Sequence, residues 1–181
     1  MKQLQKIILL KDTLMFRFGS NKTRIKIARK WGVKVGNNCR IYSCEFGSEP
    51  YLISIGDNTE ITNGVTFITH DGATWIFRTN NEFDGNKFGP IIIKNNCMIG
   101  IRSIILPNIE IGPNSVVGAG SVVTKNVPPN SVCAGNPAQY ICSISEYLEK
   151  CKDKDISKVP YFMPSDEKKI VLTKIFEKRF N

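Results

Sequence analysis

The side chain best suited to chemistry in this sequence is His70, which is the chain's only histidine. An imidazole has an ordinary pKa of about 6.5, so it can take a proton from a hydroxyl or an amine near neutral pH. His70 also stands where a long loop leaves an otherwise regular repeat, and such an edge can hold an acceptor molecule. The alternative is a solvated or hydrogen-bonded histidine without a catalytic role. At this point a general base and a non-catalytic histidine both stay open.

Asp71 follows the histidine directly. Its carboxylate could orient the imidazole or contact the acceptor, as carboxylates beside functional histidines often do. It could equally be a turn residue, because aspartate side chains readily bond to backbone N–H groups two residues on. Both interpretations stay open at this point.

Six cysteines offer a competing chemistry, covalent catalysis through a thiolate. They are Cys39, Cys44, Cys97, Cys133, Cys142 and Cys151. No pair has CxxC spacing, and a single histidine leaves too few ligands for a zinc site, so we expect no metal. We expect Cys39, Cys97 and Cys133 in the small-residue position of the repeat described next, packed inside, where a thiol without a base is inert. Covalent catalysis through these cysteines is therefore disfavoured.

Apolar branched residues recur at every sixth position in the middle of the chain. The series is Ile93, Ile99, Ile105, Ile111, Val117 and Val123. A glycine often follows directly, and a small side chain often stands four positions after the branched residue. Similar units occur earlier, at residues 35–39 and 55–59. This period is typical of a parallel β-helix, in which six residues form one strand and one corner.

Three such units complete one triangular coil that stacks on the next at about 4.8 Å. The branched residues point inward and stack on their equivalents. Residues 91–132 are rich in β-branched residues, glycine and proline and have no 3.6-residue stripe, which disfavours helices. We predict a mainly β fold, a hexapeptide solenoid.

The flanks of the repeat carry helical patterns. Residues 3–18 place Leu4, Ile7, Ile8, Leu14, Met15 and Phe18 near one helical face. Residues 23–31 predict a second short helix ended by Gly32. A capping box begins at Ser143 and opens a helix through about Lys152, and the charge order from Ser165 to Arg179 favours a last helix.

These patterns divide the chain into three predicted segments. Residues 1–34 form a basic amphipathic helical arm, and residues 143–181 form a C-terminal helical extension. Residues 35–142 form the β-helix catalytic domain. Within it, residues 71–90 form no hexapeptide and are predicted to be a long ejected loop, a feature that is usually functional in a solenoid.

The excess positive charge of the chain lies in the predicted arm, residues 1–34. The formal net charge is +9, and residues 1–34 hold ten basic side chains and one acidic side chain, while residues 35–145 hold six and eight. No nucleic-acid-binding motif accompanies the charge, so we expect no nucleic-acid partner. The arm could contact anionic lipid weakly or pack its apolar face on the solenoid, and we favour packing.

The early apolar run is too short for a signal peptide or a membrane span, so we expect a cytoplasmic location.

Several motifs together resemble the hexapeptide-repeat acyltransferases with a left-handed β-helix, and more narrowly the bacterial sugar O-acetyltransferases of capsule and lipopolysaccharide biosynthesis. The resemblance covers roughly residues 33–150. The motifs are Ile68-Thr69-His70-Asp71-Gly72, Ile99-Gly100, Ile105-Leu106-Pro107, residues 111–125 with their Val123-Thr124-Lys125 ending, and Ala134-Gly135-Asn136-Pro137-Ala138.

This resemblance implies a left-handed parallel β-helix and transfer of an acetyl group from acetyl-CoA to a sugar hydroxyl, with His70 as general base. It implies that Asp71, Trp75 and Arg78 contact the acceptor. The residues implied for the acetyl-CoA site are Met98, Gly100, Ala119, Thr124, Lys125, Asn136 and Pro137. It also implies a homotrimer whose active sites lie between neighbouring subunits.

Two departures and two alternatives accompany the resemblance. Some relatives carry a basic residue where this chain has Gln139, and tryptophan where it has Met98. N-acetylation of a nucleotide-linked amino sugar would use the same histidine and donor. A structural or binding solenoid is the non-enzymatic alternative, but it would not require the loop at residues 71–90.

Overall fold

The structure is a computed structural model that describes residues 2–152, 159–160 and 162–180, without the side chains of residues 2–6 and 178–180. Leu4 and Arg179, which entered the helix predictions, therefore lie outside the described side chains. The chain forms two compact units, Met1–Ile144 and Ser145–Asn181. The division into arm, catalytic domain and extension stays a prediction.

Helices occur at both ends of the chain and once in the middle. Those in the described residues are α1 (Lys2–Phe18), α2 (Asn21–Lys30), α3 (Trp75–Thr79), α4 (Ile144–Lys152) and α5 (Ser165–Phe180). Two 3-10 turns span Pro50–Leu52 and Gly72–Thr74. All but α3 lie where the sequence predicts a helix.

Short strands fill the region between α2 and α4. They are β1 (Lys34–Val35), β2 (Arg40–Ile41), β3 (Ile53–Ile55), β4 (Glu60–Ile61), β5 (Thr66–Phe67), β6 (His70–Asp71), β7 (Lys87–Phe88), β8 (Ile91–Ile93), β9 (Met98–Ile99), β10 (Ile104–Ile105), β11 (Ile109–Ile111), β12 (Val116–Val117), β13 (Val122–Val123), β14 (Ser131–Ala134) and β15 (Gln139–Ser143).

The chain visits three sheets in rotation. The first sheet contains β1, β3, β8 and β11, the second β2, β4, β9, β12, β14 and β15, and the third β5, β10 and β13. All ladders in these sheets are parallel except the antiparallel pair of β14 and β15. The region between α2 and α4, which we call the body, is therefore built of mainly parallel sheets, as the period of six predicts.

One circuit through the sheets takes eighteen residues where the repeat is regular, as the pairs Ile91↔Ile109 and Ile104↔Val122 show. Every member of the predicted branched series is at most 1% exposed. Because equivalent branched residues pair on neighbouring strands, they stack into rows that fill the interior. This prediction is confirmed.

The corner between the third and first sheets is the irregular one. Its length is counted from a paired residue of the third sheet to the equivalent paired residue of the first sheet. The step is eight residues from Glu45 to Ile53, twenty-five from Thr66 to Ile91 and five from Ile104 to Ile109. The last such corner is two residues shorter than the one before it, because Val127 rather than a later residue pairs with Ile111. The insertions and the deletion therefore share one edge of the body.

The shortened corner changes the environment of one cysteine. Cys39 and Cys97 occupy the small-residue position, and their thiols bond to carbonyls of the adjacent circuit, at Gly56 and Gly112. Cys133 instead pairs with Val117, so it takes the place of a branched interior residue. Our placement of Cys133 in the small-residue position was wrong, because the period loses two residues after Val123. Its burial was predicted correctly.

The corner between the first and second sheets is made by asparagines. These residues have positive φ between 52° and 56° and are Asn38, Asn58, Asn96, Asn114 and Asn130. Asparagine tolerates this left-handed conformation better than most residues do. Side-chain amides also bond along the edge, from Asn96 to Asn114 and from Asn114 to Asn130, at 2.8 and 2.9 Å.

The N-terminal helices attach to the body through a small aromatic cluster. Ser20 caps α2, and Phe16 of α1 is buried with its ring 5.1 Å from that of Trp31 and 5.6 Å from that of Phe46. The apolar face of α1 that we expected to pack on the solenoid is exposed. Its described residues are Ile7, Ile8, Leu14, Met15 and Phe18, and Leu9 and Leu10 of the same helix are exposed as well. The expected packing of this face was wrong, because Phe16 points to the opposite side of α1.

The excursion at residues 71–90 has structure of its own. Strands β6 and β7 pair antiparallel, with His70 opposite Phe88 and Asp71 opposite Lys87. Helix α3 lies between them. Within the described residues, every helix is too short or too polar to cross a membrane.

Candidate active site

His70 lies at the irregular edge, where the chain leaves the third sheet after β5. A groove of about 780 Å³ opens there. Three circuits contribute to it, together with β7 of the excursion. Its lining residues are Ile68, His70, Asp71, Gly72, Lys87, Phe88, Leu106, Pro107, Asn108, Ile109, Thr124, Lys125 and Asn126. Four residues predicted from the sequence therefore meet in one groove: His70, Asp71, Thr124 and Lys125.

A carboxylate holds the imidazole. Oε2 of Glu49 lies 2.9 Å from Nδ1 of His70 and accepts a 2.6 Å hydrogen bond from the hydroxyl of Thr69. The side chain of Glu49 is 14% exposed and that of His70 is 41% exposed. The carboxylate is thus largely enclosed, while the imidazole reaches the groove.

This contact selects one form of the neutral imidazole. Nδ1 must carry the proton to donate to the carboxylate, so Nε2 has a free lone pair. A histidine that takes a proton from a hydroxyl needs one ring nitrogen free, and a hydrogen bond to the other nitrogen holds the ring in position. The negative charge of Glu49 also stabilises the imidazolium that forms when Nε2 takes a proton.

The segment before Glu49 is anchored on the body. The ring of Phe46 stacks on Phe67 of β5, with centroids 5.4 Å apart, and Phe67 N donates to Glu45 O. Gly47 has a φ of +67° and passes so close to Phe67 that a Cβ would lie 3.0 Å from its carbonyl oxygen. This packing brings Glu49 beside Thr69 and His70, although twenty-one residues separate Glu49 from the histidine.

The hydrogen bonds change the acidity of Glu49. Donation from Thr69, and then from His70, holds the pKa of the Glu49 carboxyl below its ordinary value of 4.5. The carboxylate is therefore ionised throughout the pH range in which an imidazole can act as a base.

Asp71 has a different partner. Its Oδ1 accepts a hydrogen bond from the N–H of Ala73, which caps the turn Gly72–Thr74. Glu49 therefore makes the contact that orients His70. Asp71 instead makes the backbone hydrogen bond of a turn, which was the second interpretation of this residue. Contact of Asp71 with an acceptor stays a prediction, since its residue lines the groove.

The two other predicted acceptor residues lie on α3, outside the groove lining. Trp75 is 65% exposed. Arg78 donates to the carbonyl of Gly85 and to the side chain of Asn86. Its guanidinium thus links the two sides of the excursion.

The remaining predicted donor-site residues lie on another edge of the body. Met98 belongs to β9 of the second sheet, and Gly100 and Ala119 lie on the corner that follows this sheet. Gly100 approaches the next circuit so closely that a Cβ would be 2.4 Å from the backbone nitrogen of Ala119. Asn136 and Pro137 follow β14, beside β13. One copy of the chain does not bring these five residues to His70.

The cysteines are poorly placed for catalysis. Cys39, Cys44, Cys97, Cys133 and Cys142 are buried, and no cysteine lines the groove. Burial also raises the pKa of Cys44 and Cys97, which disfavours the thiolate. Among the described residues, no group of three or more His, Cys, Asp or Glu side chains is arranged to hold a metal ion.

Comparison with known proteins shows what the chain is similar to. Residues 90–125 match the bacterial transferase hexapeptide family (six repeats). Over 159 residues the chain is 52% identical to Protein CapG of Staphylococcus aureus, covering 84% of this chain and 90% of CapG. It is 43% identical over 99 residues to the galactoside O-acetyltransferase of Escherichia coli (strain K12), covering 54% of this chain and 47% of that protein. The chain thus matches about half the length of that second relative.

The solved structures agree in fold. A hexapeptide-repeat acetyltransferase from Vibrio cholerae has a TM-score of 0.56 at 25% identity, covering 74% of this chain and 87% of that chain. The same Vibrio protein complexed with acetyl coenzyme A has a TM-score of 0.54 at 24% identity.

The contact between Glu49 and its donors generates a test by unfolding. Glu49→Gln is expected to lower the free energy of unfolding by about 1–3 kcal/mol near neutral pH, because charged hydrogen bonds are lost. A carboxyl whose pKa is lowered by folding stabilises the protein above its unfolded pKa and ceases to do so as it protonates. The difference between wild type and variant should therefore shrink as the pH falls below 4.5. Urea unfolding measured at several pH values gives this difference, and Glu82→Gln on the exposed excursion is the control. A difference that stays constant with pH would contradict the assignment.

Proposed function

The chain belongs to the family of hexapeptide-repeat acetyltransferases, and from this premise we propose that it transfers an acetyl group from acetyl-CoA to a sugar hydroxyl, with His70 as the general base. The family resemblance inferred from the motifs is confirmed by the 52% identity to CapG and by the family match at residues 90–125. The observation that carries the proposed mechanism is the hydrogen bond between His70 Nδ1 and Glu49 Oε2.

The proposed reaction is a direct transfer. Nε2 of His70 accepts the proton of the acceptor hydroxyl while the hydroxyl oxygen attacks the thioester carbonyl carbon. The carbon–sulfur bond breaks, and the imidazolium returns the proton to the leaving thiolate. Glu49 keeps Nδ1–H in place throughout and stabilises the imidazolium electrostatically.

The groove has the charge that the donor requires. Lys125 and Lys87 both line it, and their ammonium groups suit the phosphate oxygens of coenzyme A. Thr124, beside Lys125, adds a hydroxyl. The Vibrio relative complexed with acetyl coenzyme A supports acetyl-CoA as the donor. We assign Thr124 and Lys125 to the phosphate-bearing part of the donor.

The acceptor is a sugar hydroxyl, in our proposal one of a surface-polysaccharide precursor. The galactoside O-acetyltransferase among the relatives supports a sugar acceptor. Phe88 lines the groove with its ring 6.0 Å from that of His70, and Trp75 stands exposed on α3. The ring of Phe88 beside the base suits a ligand with both apolar and hydroxylated faces, and we propose that Trp75 extends this surface on α3. Asp71 and Arg78 are the polar residues that we propose near it.

We further propose a homotrimer with active sites between neighbouring copies. The support is the division of the predicted residues over two edges, since Met98, Gly100, Ala119, Asn136 and Pro137 lie away from the His70 groove. A neighbouring copy that presents its second edge to this groove would complete the donor site. The left-handed sense of the coil belongs to the same proposal and rests on the family resemblance, and a cytoplasmic location stays the expectation from the sequence.

His70→Ala tests the base. The variant is expected to fold, to assemble and to bind acetyl-CoA, but to lose acetyl transfer by about 10²- to 10⁴-fold, because only proton abstraction is removed. Coenzyme A release is measured with sugars that have and lack an amino group, and release with sugars that lack one shows O-acetylation. Glu82→Ala on the excursion is the matched control. Turnover within a few-fold of wild type would refute the role of His70.

Mixed oligomers test the shared site. His70→Ala disables one edge, and Ala119→Trp blocks the other by filling an exposed position with a large ring. Each variant alone should be inactive, while an equal mixture assembled together should recover about a quarter of wild-type activity, because one site in four combines two intact edges. A mixture no more active than its parents would place the whole site within one copy.

A further inference from the structure

Helix α1 carries an apolar stripe that the protein leaves uncovered. Ile7, Leu10, Leu14 and Phe18 are spaced by three and four residues, so they lie along one side of the helix. Their exposed fractions are 59%, 61%, 50% and 75%. We call these four residues the α1 stripe. Four large apolar side chains in a continuous row exceed the scattered exposure of an ordinary surface.

The α1 stripe is separate from the contact that attaches the helix. Phe16, the buried residue of α1, is rotated by about half a turn from the middle of the stripe at 100° per residue. Phe16 fixes α1 to Trp31 and Phe46. The stripe therefore faces away from the body while the helix is held on it.

Basic side chains border the stripe. Lys11 follows one turn after Ile7, and Lys22 and Lys26 of α2 line a groove with Lys11. All three are exposed. The one acidic residue in this region, Asp12, is paired with Lys30 at 2.6 Å. Residues 7–30 hold seven basic side chains and one acidic side chain, which gives +6.

We propose that α1 and α2 bind to the surface of an anionic lipid bilayer, with α1 lying in the plane of the interface and its stripe reaching the acyl-chain boundary. The lysines of both helices contact the lipid phosphates. Helices that present an apolar stripe bordered by basic residues bind bilayers in this way, and each cation near the surface adds to the attraction. This mode needs no membrane span, in keeping with the lengths and polarity of the described helices.

Charge decides between this partner and a second copy of the chain. Two copies joined through the stripe would bring two surfaces of +6 together, which is repulsive. An anionic bilayer offers the opposite charge and an apolar layer in the same place.

Vesicle flotation with the full chain tests the proposal. Wild type is expected to bind vesicles with about 30% phosphatidylglycerol in phosphatidylcholine at least tenfold more than vesicles of phosphatidylcholine alone. Leu10→Ser with Leu14→Ser, and separately Lys11→Glu with Lys26→Glu, should each reduce that binding by about tenfold or more. Matched controls in the second unit are Leu148→Ser with Ile170→Ser and Lys168→Glu with Lys174→Glu, which should bind like wild type.

Three results would overturn the proposal. Wild type could fail to prefer anionic vesicles, or the variants in α1 and α2 could bind as well as wild type. Sedimentation of the serine variant could also show a smaller oligomer than wild type, which would make the stripe a contact between copies. Acetyl transfer to a soluble acceptor is a separate measurement, so a failure here leaves the proposed reaction standing.

Discussion

The structure depends on the stacking of branched side chains in the interior. Each circuit must return its inward residues to the same three rows, because a residue out of register would leave a void or a clash in a closely packed core. Rows such as Ile61, Ile99 and Val117 have no exposure at all. Strands in these rows therefore cannot gain or lose residues, and variation in length falls to the corners.

That constraint explains where the site lies. The corner between the third and first sheets is the edge at which the chain lengthens after Glu45, lengthens again after Thr66, and shortens after Val123. The first lengthening supplies Glu49, the second supplies His70, and the shortened corner carries Lys125. Rigid rows beneath them hold these three residues in place on one edge. A carboxylate, an imidazole and a cation thus meet without any change in the interior.

The regular part of the molecule was predictable from the sequence, and the reasons are physical. When a branched residue stands at every sixth position, one arrangement buries all of them, so the strands, their register and the interior residues could be predicted for residues 91–123. His70 stood out because it is the chain's only histidine and lies where that period breaks. Glu49 did not stand out, because it lies in a corner without a repeat and reaches His70 only through the stacking of Phe46 on Phe67. The available signal was a lone glutamate before Pro50 in an over-long corner.

Two other expectations failed for related reasons. Cys133 was misplaced because a period carried forward from Val123 cannot reveal a corner that loses two residues. The packing face of α1 was misjudged because both sides of that helix are apolar, and the aromatic partners that select Phe16 are distant in sequence. Periodicity identifies an apolar face, but it does not say whether the body of the protein covers it.

The most direct test of the central claim, that Glu49 holds His70 as a base with Nε2 free, uses the fact that the chain has one histidine. Nitrogen NMR of the ¹⁵N-histidine-labelled protein gives one pair of ring signals, which report the position of the proton on the neutral ring. We expect the proton on Nδ1 in wild type, and we expect this preference to be lost in Glu49→Leu, whose side chain has no hydrogen-bond acceptor. A neutral wild-type ring protonated on Nε2, or ring signals unaffected by Glu49→Leu, would contradict this assignment.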